Sequence, residues 1–358
     1  MANETQILQA LRAVIDPDLH RDIVSLGFVK DIAVCEDMVK VTIELTTPAC
    51  PVKDDLKAQA ERAIRALPGV NVVNIKMDAQ VRPNLSQMGQ ALIPGVKNVI
   101  PVGSGKGGVG KSTVSANIAV ALAQMGASVG LMDADVYGPS IPTILGINEH
   151  PVPGEKGIIP VLAHGVKVIS MGFFLKPDQA VVWRGPMLTK MIEQFLGGVE
   201  WGEIDYLVVD LPPGTGDIQL SLCQRIPLTG AAIVSTPQDV ALNIAEKAVI
   251  MFNQLKTPIL GLIENMSYFT CSHCGGREHI FDNGGARRAA ERFGVPFLGE
   301  IPLATRLRET SDSGIPIVIA DPESESAMAF QLIARNLAAQ VSIRNSQAAE
   351  TEPVKITF

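Results

Sequence analysis

"VGSGKGGVGKST", residues 102–113, decides how the rest of this chain is read. Gly105 to Ser112 fits G-x-x-x-x-G-K-[ST], with the strand-like "NVIPV" before it and the helical pattern "STVSANIAVALAQMG" after it. In that setting the glycines let backbone N–H groups fold around phosphate oxygens, and the start of the following helix adds a partial positive charge. Lys111 then reaches the outer phosphates, and Ser112 supplies a ligand for Mg²⁺. The pattern predicts nucleotide binding by Gly105, Lys106, Gly107, Gly108, Val109, Gly110, Lys111, Ser112 and Thr113. Lys111 alone completes it, so Lys106 is one lysine more than a phosphate loop needs.

Outward from this loop, strand patterns alternate with helical ones: "NVIPVG", "SVGLMD", "VKVISM", "YLVVDL", "GAAIVS", "ILGLIEN" and "PFLGEIP". Such alternation predicts an α/β domain with a mostly parallel sheet covered by helices on both faces and ligands at the carboxyl ends of the strands. Asp210 ends the apolar strand in "YLVVDLPPGTGD", where a carboxylate holds the Mg²⁺ shell, and Gly214 and Gly216 follow it in a loop able to sense the γ-phosphate. "LMDADVYGPS" offers Asp133 and Asp135 at another strand end. Either can orient an attacking water, and Asp133 can instead be a structural cap.

Before this domain lies a smaller α+β unit. Ile7, Leu8, Leu11, Val14 and Ile15 have helical spacing over residues 4–15, and "DPDL" stops the helix at a proline. Alternating residues in "IVSLGFVKDIAVCEDMVKVTIELTT", a helical stretch from Val52 to Ala66 and a strand-like "VNVVNIKM" complete the unit near Arg82. The expected division is residues 1–82, a linker over 83–96, the nucleotide domain over 97–345 and a loose tail over 346–358. A length of 358 residues with 47% hydrophobic content accommodates two cores. With 30 basic against 37 acidic residues and a net charge of −7, the balance argues against a protein built to grip nucleic acid or an anionic membrane surface. The N-terminal stretch lacks a signal-peptide pattern and no apolar run approaches the ~20 residues of a membrane span, so the chain is expected in the cytoplasm.

Lys106 to Lys111 resembles the deviant Walker A motif of the SIMIBI class of P-loop proteins, which includes MinD and ParA ATPases, the nitrogenase iron protein and the Mrp/Nbp35 iron–sulfur carriers. "DADVYGPS", "DLPPGTGD" and "ENMSYFTCSHCGG" together resemble the Mrp/Nbp35 (ApbC-like) branch, over about residues 97–340. The resemblance implies a homodimer with ATP between the subunits, and it implies that Lys106 crosses to the partner's nucleotide and neutralises transition-state charge there, as an arginine finger does. It also places Asn265 at the adenine. The first 82 or so residues resemble the MIP18 (DUF59) domain of iron–sulfur maturation factors through "IDPDL", "IVSLGFV" and "LTTPACP". Cys50 in that last turn is either a thiol that handles iron or an ordinary buried cysteine.

Five cysteines make no disulfide framework, and only Cys271 and Cys274 are close in sequence. Their spacing aims two sulfurs at one metal, which is half a site. A zinc knuckle needs two more ligands from neighbours such as His273 and His279; a redox dithiol is a third option, although the pair does not open a helix. Two copies across a two-fold axis supply four thiolates, as the resembled family does for a 4Fe-4S cluster. The favoured expectation is a dimeric ATPase that holds a labile 4Fe-4S cluster and hands it to apo iron–sulfur proteins, alongside cluster-assembly factors. Two alternatives stand beside it. A MinD- or ParA-like positioning ATPase whose cysteine pair binds zinc would call for a basic amphipathic end that "SIRNSQAAETEPVKITF" does not offer. A cluster-retaining reductase of the nitrogenase type has widely separated cysteines.

Overall fold

The computed structural model describes residues 2–84, 93–174, 191, 194–214, 216, 219–220, 223–224, 227–271 and 273–351, the last three by backbone alone. Of the segments expected to be unstructured, residues 85–92 and 352–358 lie outside this set.

The small domain opens with helix α1 (Glu4–Leu11), started by a capping box in which Asn3 and Gln6 each accept the other's backbone N–H. It stops at Leu11, four residues before the helical spacing suggested, because Ile15–Asp16 (β1) pairs with Arg21–Asp22 (β2). The Asp16 carboxylate takes the N–H groups of Asp18 and Leu19 and fixes that turn. Strands β3 (Val29–Cys35), β4 (Met38–Leu45) and β5 (Val72–Ala79) form a sheet in that order, with α2 (Lys53–Arg65) between the last two in sequence. Val39, Val41, Ile43 and Leu45 alternate onto the face that meets Ile7 and Leu11 of α1 and Leu56, Ala60 and Ile64 of α2.

The large domain begins with β6 (Val96–Ser104), α3 (Lys111–Gln124), β7 (Val129–Asp133) and α4 (Ile141–Ile144). A short ladder of β8 (Val152–Pro153) and β9 (Ile158–Ile159) precedes β10 (Val161–Ala163), β11 (Val166–Ser170), β12 (Ile204–Asp210) and β13 (Ala231–Ser235). Next come α5 (Asp239–Gln254), β14 (Ile259–Thr270), β15 (Arg277–Glu278), α6 (Gly285–Phe293) and β16 (Phe297–Leu303). Helices α7 (Thr305–Asp312), α8 (Ile317–Ala320) and α9 (Glu325–Thr351) complete it. Among the described residues the strand order is β10-β11-β7-β12-β6-β13-β14-β15, with β16 also on β14. Every pairing is parallel except β10 with β11 and β15 with β14. β7 and β13 are buried along their whole length, as strands covered on both faces must be. Val114 and Ile118 of α3 meet Phe330, Ile333 and Leu337 of α9 on one face. Trp201, with Leu242 and Phe252 of α5 and Ala289 of α6, fills the other.

The two domains are joined by polar contacts and by Ala49 and Val81, which are buried in the large domain's core. The Tyr206 hydroxyl donates to Thr47 Oγ1 at 2.9 Å in a buried setting. The Arg82 carbonyl accepts from Asn98 Nδ2 at 3.1 Å and Asn345 Nδ2 at 2.9 Å. Helix α9 runs on to Thr351, into the stretch expected as a loose tail, where Gln347, Ala348, Ala349 and Glu350 are strong helix formers. Phe195 is buried in the core that holds Trp201, and Met191 packs against the same cluster. No helix among the described residues is long and apolar enough to cross a membrane.

Candidate nucleotide site and cysteine hairpin

Parallel strands β6, β7 and β12 end side by side, so the loop after β6, Asp133 after β7 and Asp210 after β12 converge. Gly110 sits at φ +80° as the residue before α3, and no side chain caps that helix. Its first N–H groups therefore remain available to phosphate oxygens. Gly105 is required by close approach: a Cβ there would lie 2.5 Å from the backbone of Ile244 on α5. A cavity of about 460 Å³ lies over the loop, lined by Lys106 through Thr113 and reaching Asp135, Thr143, Pro213 and Asp312. Its size falls in the range of small-molecule sites.

Lys111 Nζ lies 2.8 Å from Asp210 Oδ2, with the two side chains 6% and 0% exposed. The same oxygen accepts from Ser112 Oγ at 2.6 Å, and the other carboxylate oxygen accepts from Ser115 Oγ at 2.7 Å. The motif did not reveal Ser115; its place three residues after Ser112 on one helical face is the signal that finds it. The chemistry of this set fits Mg²⁺ and a nucleotide triphosphate: a hydroxyl and a carboxylate, both hard oxygen donors, beside a lysine at an open helix start. Asp133 pairs in register with Asp210 and is fully buried. Burial, then the Asp210 charge, push its carboxyl up to about 7. It accepts from Ser170 Oγ at 2.8 Å and from the N–H groups of Asp135 and Ile141, holding the loop that carries Asp135. Asp135 borders the cavity, and its Oδ1 takes the N–H groups of Tyr137 and Gly138.

The extra lysine is turned inward. Lys106 Nζ donates to Gln238 Oε1 at 3.2 Å, at the start of α5 of its own chain. Asn265, expected at the adenine, stands behind the loop: it is 4% exposed, and its Nδ2 donates to the Val109 carbonyl at 2.8 Å. Gly214 approaches the loop strand through its N–H on the Ser104 carbonyl, 3.0 Å away; Thr215 lies outside the described residues.

Cys271 and Cys274 occupy the turn of the hairpin formed by β14 and β15. The Cys271 N–H donates to the Gly276 carbonyl at 2.9 Å and the Gly275 N–H to the Cys271 carbonyl at 2.8 Å, which fixes the turn. Cys274 is exposed and Cys271 partly so. N–H groups of His273 and Cys274, and then the Cys274 side chain, hold the Cys271 thiol below its ordinary value. His279 faces Asn283 at 3.2 Å and the Ser267 carbonyl at 3.5 Å. No group of three or more His, Cys, Asp or Glu side chains gathers as a metal site among the described residues. Cys50 stands apart at the domain junction, where a small pocket includes Asp16, Thr47 and Ser342, and burial pushes its thiol up to about 11.

The family model for the NUBPL iron-transfer P-loop NTPase matches residues 95–338, and that for an iron–sulfur cluster assembly protein matches residues 4–77. An iron–sulfur cluster carrier protein of Synechocystis is 47% identical over 349 residues, covering 96% of this chain and 99% of its own. One from Deinococcus radiodurans is 49% identical over 351 residues, covering 97% and 99%. Among solved structures, a nucleotide-binding protein in complex with ADP from Archaeoglobus fulgidus is 44% identical with a TM-score of 0.56, over 61% of this chain and 87% of that one. The cell division ATPase MinD of Pyrococcus furiosus, at 25% identity and a TM-score of 0.52, covers 67% of this chain and 97% of that one. With a P-loop NTPase domain and an assembly domain in one polypeptide, both matched along nearly their full extent, this chain belongs to the iron–sulfur cluster carrier family.

Proposed function

We propose that the protein is an ATP-hydrolysing carrier whose cargo is a labile 4Fe-4S cluster, held between two copies of the chain and passed to apo iron–sulfur proteins. The observation that carries this reading is the cysteine hairpin: two thiols presented together on an outer turn, one of them with a lowered pKa, and no further ligand gathered around them among the described residues. Two thiolates are half of a tetrathiolate set, and a two-fold axis supplies the other half from the same surface. Of the two histidines beside the pair, His279 is engaged by Asn283 and the Ser267 carbonyl.

In this reading Lys111 and the amides at the start of α3 would bind the phosphates, and Ser112 and Asp210 would hold Mg²⁺, which would supply neutralisation of phosphate charge. Asp135 orients the attacking water. Lys106 leaves Gln238 for the nucleotide of the partner. Hydrolysis acts as a switch on the dimer rather than as the purpose of the protein.

The test is anaerobic reconstitution with iron and sulfide followed by incubation with an apo-acceptor that needs a 4Fe-4S cluster. Visible and EPR spectra are expected to show a cluster that leaves the protein and activates the acceptor. A cluster that stays through repeated redox cycles would instead describe a reductase.

A further inference from the structure

We infer that residues Asn265 and Met266 of β14 are positioning residues that transmit the state of the phosphate loop to the cysteine hairpin. The inference rests on the reading that nucleotide binds at the loop and metal at Cys271 and Cys274, and it goes beyond it by naming the physical link.

One strand spans both sites. Midway along it, Asn265 Nδ2 donates to the Val109 carbonyl at 2.8 Å. A Cβ on Gly110 would lie 2.3 Å from Asn265 Nδ2, so Asn265 packs closely against the turn that starts α3, and 3.9 Å from Met266 Cε, which borders the same turn at ordinary van der Waals range. Phe269 and Thr270 of β14 form the first limb of the hairpin, and Cys271 follows six residues after Asn265. At ~3.3 Å per residue this is at most roughly 20 Å of chain.

Between the two ends the strand is irregular. Met266 adopts φ +59°, a left-handed conformation rare for an unbranched residue inside a strand. The pairing of β14 with β16 passes from Asn265↔Ile301 to Phe269↔Leu303, so four steps on one strand face two on the other. Bulges of this kind re-aim a strand beside functional sites. On either side the chain is firmly held. Before the bulge, Glu264 accepts from Ser267 Oγ and from the N–H groups of Gly284 and Ala286, tying β14 to the start of α6. Within its last part and after it, the Tyr268 hydroxyl and Thr270 Oγ1 each donate to Glu325 at 3.0 Å, and Arg277 both bonds that carboxylate and covers the Tyr268 ring. The Asn265–Met266 step is therefore the place where a shift of the Val109–Gly110 backbone enters the hairpin limb, with Glu325 as its far support. Coupling through such an element is reciprocal: nucleotide alters the thiols, and metal at the thiols alters nucleotide affinity.

Thiol reactivity tests this without a cluster. The full-length, metal-free protein is treated with limiting iodoacetamide, with and without saturating Mg·ADP, and alkylation of Cys271 is read by peptide mass spectrometry against Cys35, which is exposed in the other domain. In the wild type, nucleotide is expected to change the Cys271-to-Cys35 ratio about fivefold or more. In Asn265→Ala and Met266→Gly, with saturation checked by direct titration, that ratio is expected to be the same with and without nucleotide. Glu325→Ala, remote from the loop, should bind nucleotide as the wild type does and also lose the response. A wild-type ratio indifferent to nucleotide, or a Glu325→Ala protein with the full response, overturns the inference. Responsive thiols in a protein that never loads a cluster would instead overturn the proposed cargo and leave the link standing.

Discussion

Lys111 Nζ and Asp210 Oδ2 form a buried ion pair at 2.8 Å, and Ser112 and Ser115 complete the hydrogen bonding of that carboxylate. Removing the ammonium leaves a buried charge without its counterion. Lys111→Ala is therefore expected to lose ATP binding and to be destabilised by about 3–5 kcal/mol, read by calorimetric titration and denaturant unfolding. ATP binding of wild-type strength in this variant would contradict the assignment of the loop.

Lys106 contributes a single side-chain bond within its own chain, to Gln238, so its loss should cost little stability. Lys106→Ala is expected to bind ATP nearly as the wild type does and to lose hydrolysis. Steady-state phosphate release checks this, and near-normal turnover would remove the lysine from the reaction.

Asp133 gives the fold a pH dependence of definite sign. Its folded value, about 7, lies above the ordinary 3.8, so the folded chain holds this proton more tightly than the unfolded chain. The stability it contributes is complete below the unfolded value and is lost as pH rises through the folded one. Between about pH 5 and about pH 8 the Tm of the wild type should fall more steeply than that of Asp133→Asn, which has no proton to lose. Equal slopes by thermal unfolding would show that Asp133 is ionised throughout.

Tyr206 and Thr47 join the two domains through one buried hydrogen bond. Tyr206→Phe is expected to cost ~1 kcal/mol, and Thr47→Val more, since Thr47 Oγ1 also accepts the Ala49 N–H. In a double-mutant cycle by chemical denaturation the two losses should be less than additive, with ATP affinity unchanged. Full additivity would mean that the hydroxyls do not interact in solution.

Much of the fold was legible because it rests on local pattern. The seven strand patterns around the phosphate loop correspond to β6, β7, β11, β12, β13, β14 and β16, all in one sheet. The α2 pattern over Val52–Ala66 is the helix Lys53–Arg65. What the pattern did not carry depends on contacts distant in sequence. "ILGLIEN" stopped at Asn265, whereas β14 continues to Thr270 through a left-handed methionine that no local propensity specifies. At the site, Lys111, Ser112, Asp210 and Asp135 gather as the motifs implied, but Gln238 and Glu325 were silent, since their partners lie 132 and 55 or more residues away with the exception of Arg277. The placement of Asn265 against the loop likewise rests on a contact distant in sequence, its bond to the Val109 carbonyl 156 residues away.

On the proposed function, one cluster joins two chains through Cys271 and Cys274. Native mass spectrometry of the anaerobically reconstituted protein measures it most directly, because mass gives subunit number and metal content together. The expected species is a dimer carrying one 4Fe-4S cluster, absent from both Cys271→Ala and Cys274→Ala, because symmetry turns each substitution into the loss of two thiolates. Cys50→Ala should retain it. A monomer holding a single zinc, or a Cys271→Ala dimer with its cluster intact, would contradict the bridging account.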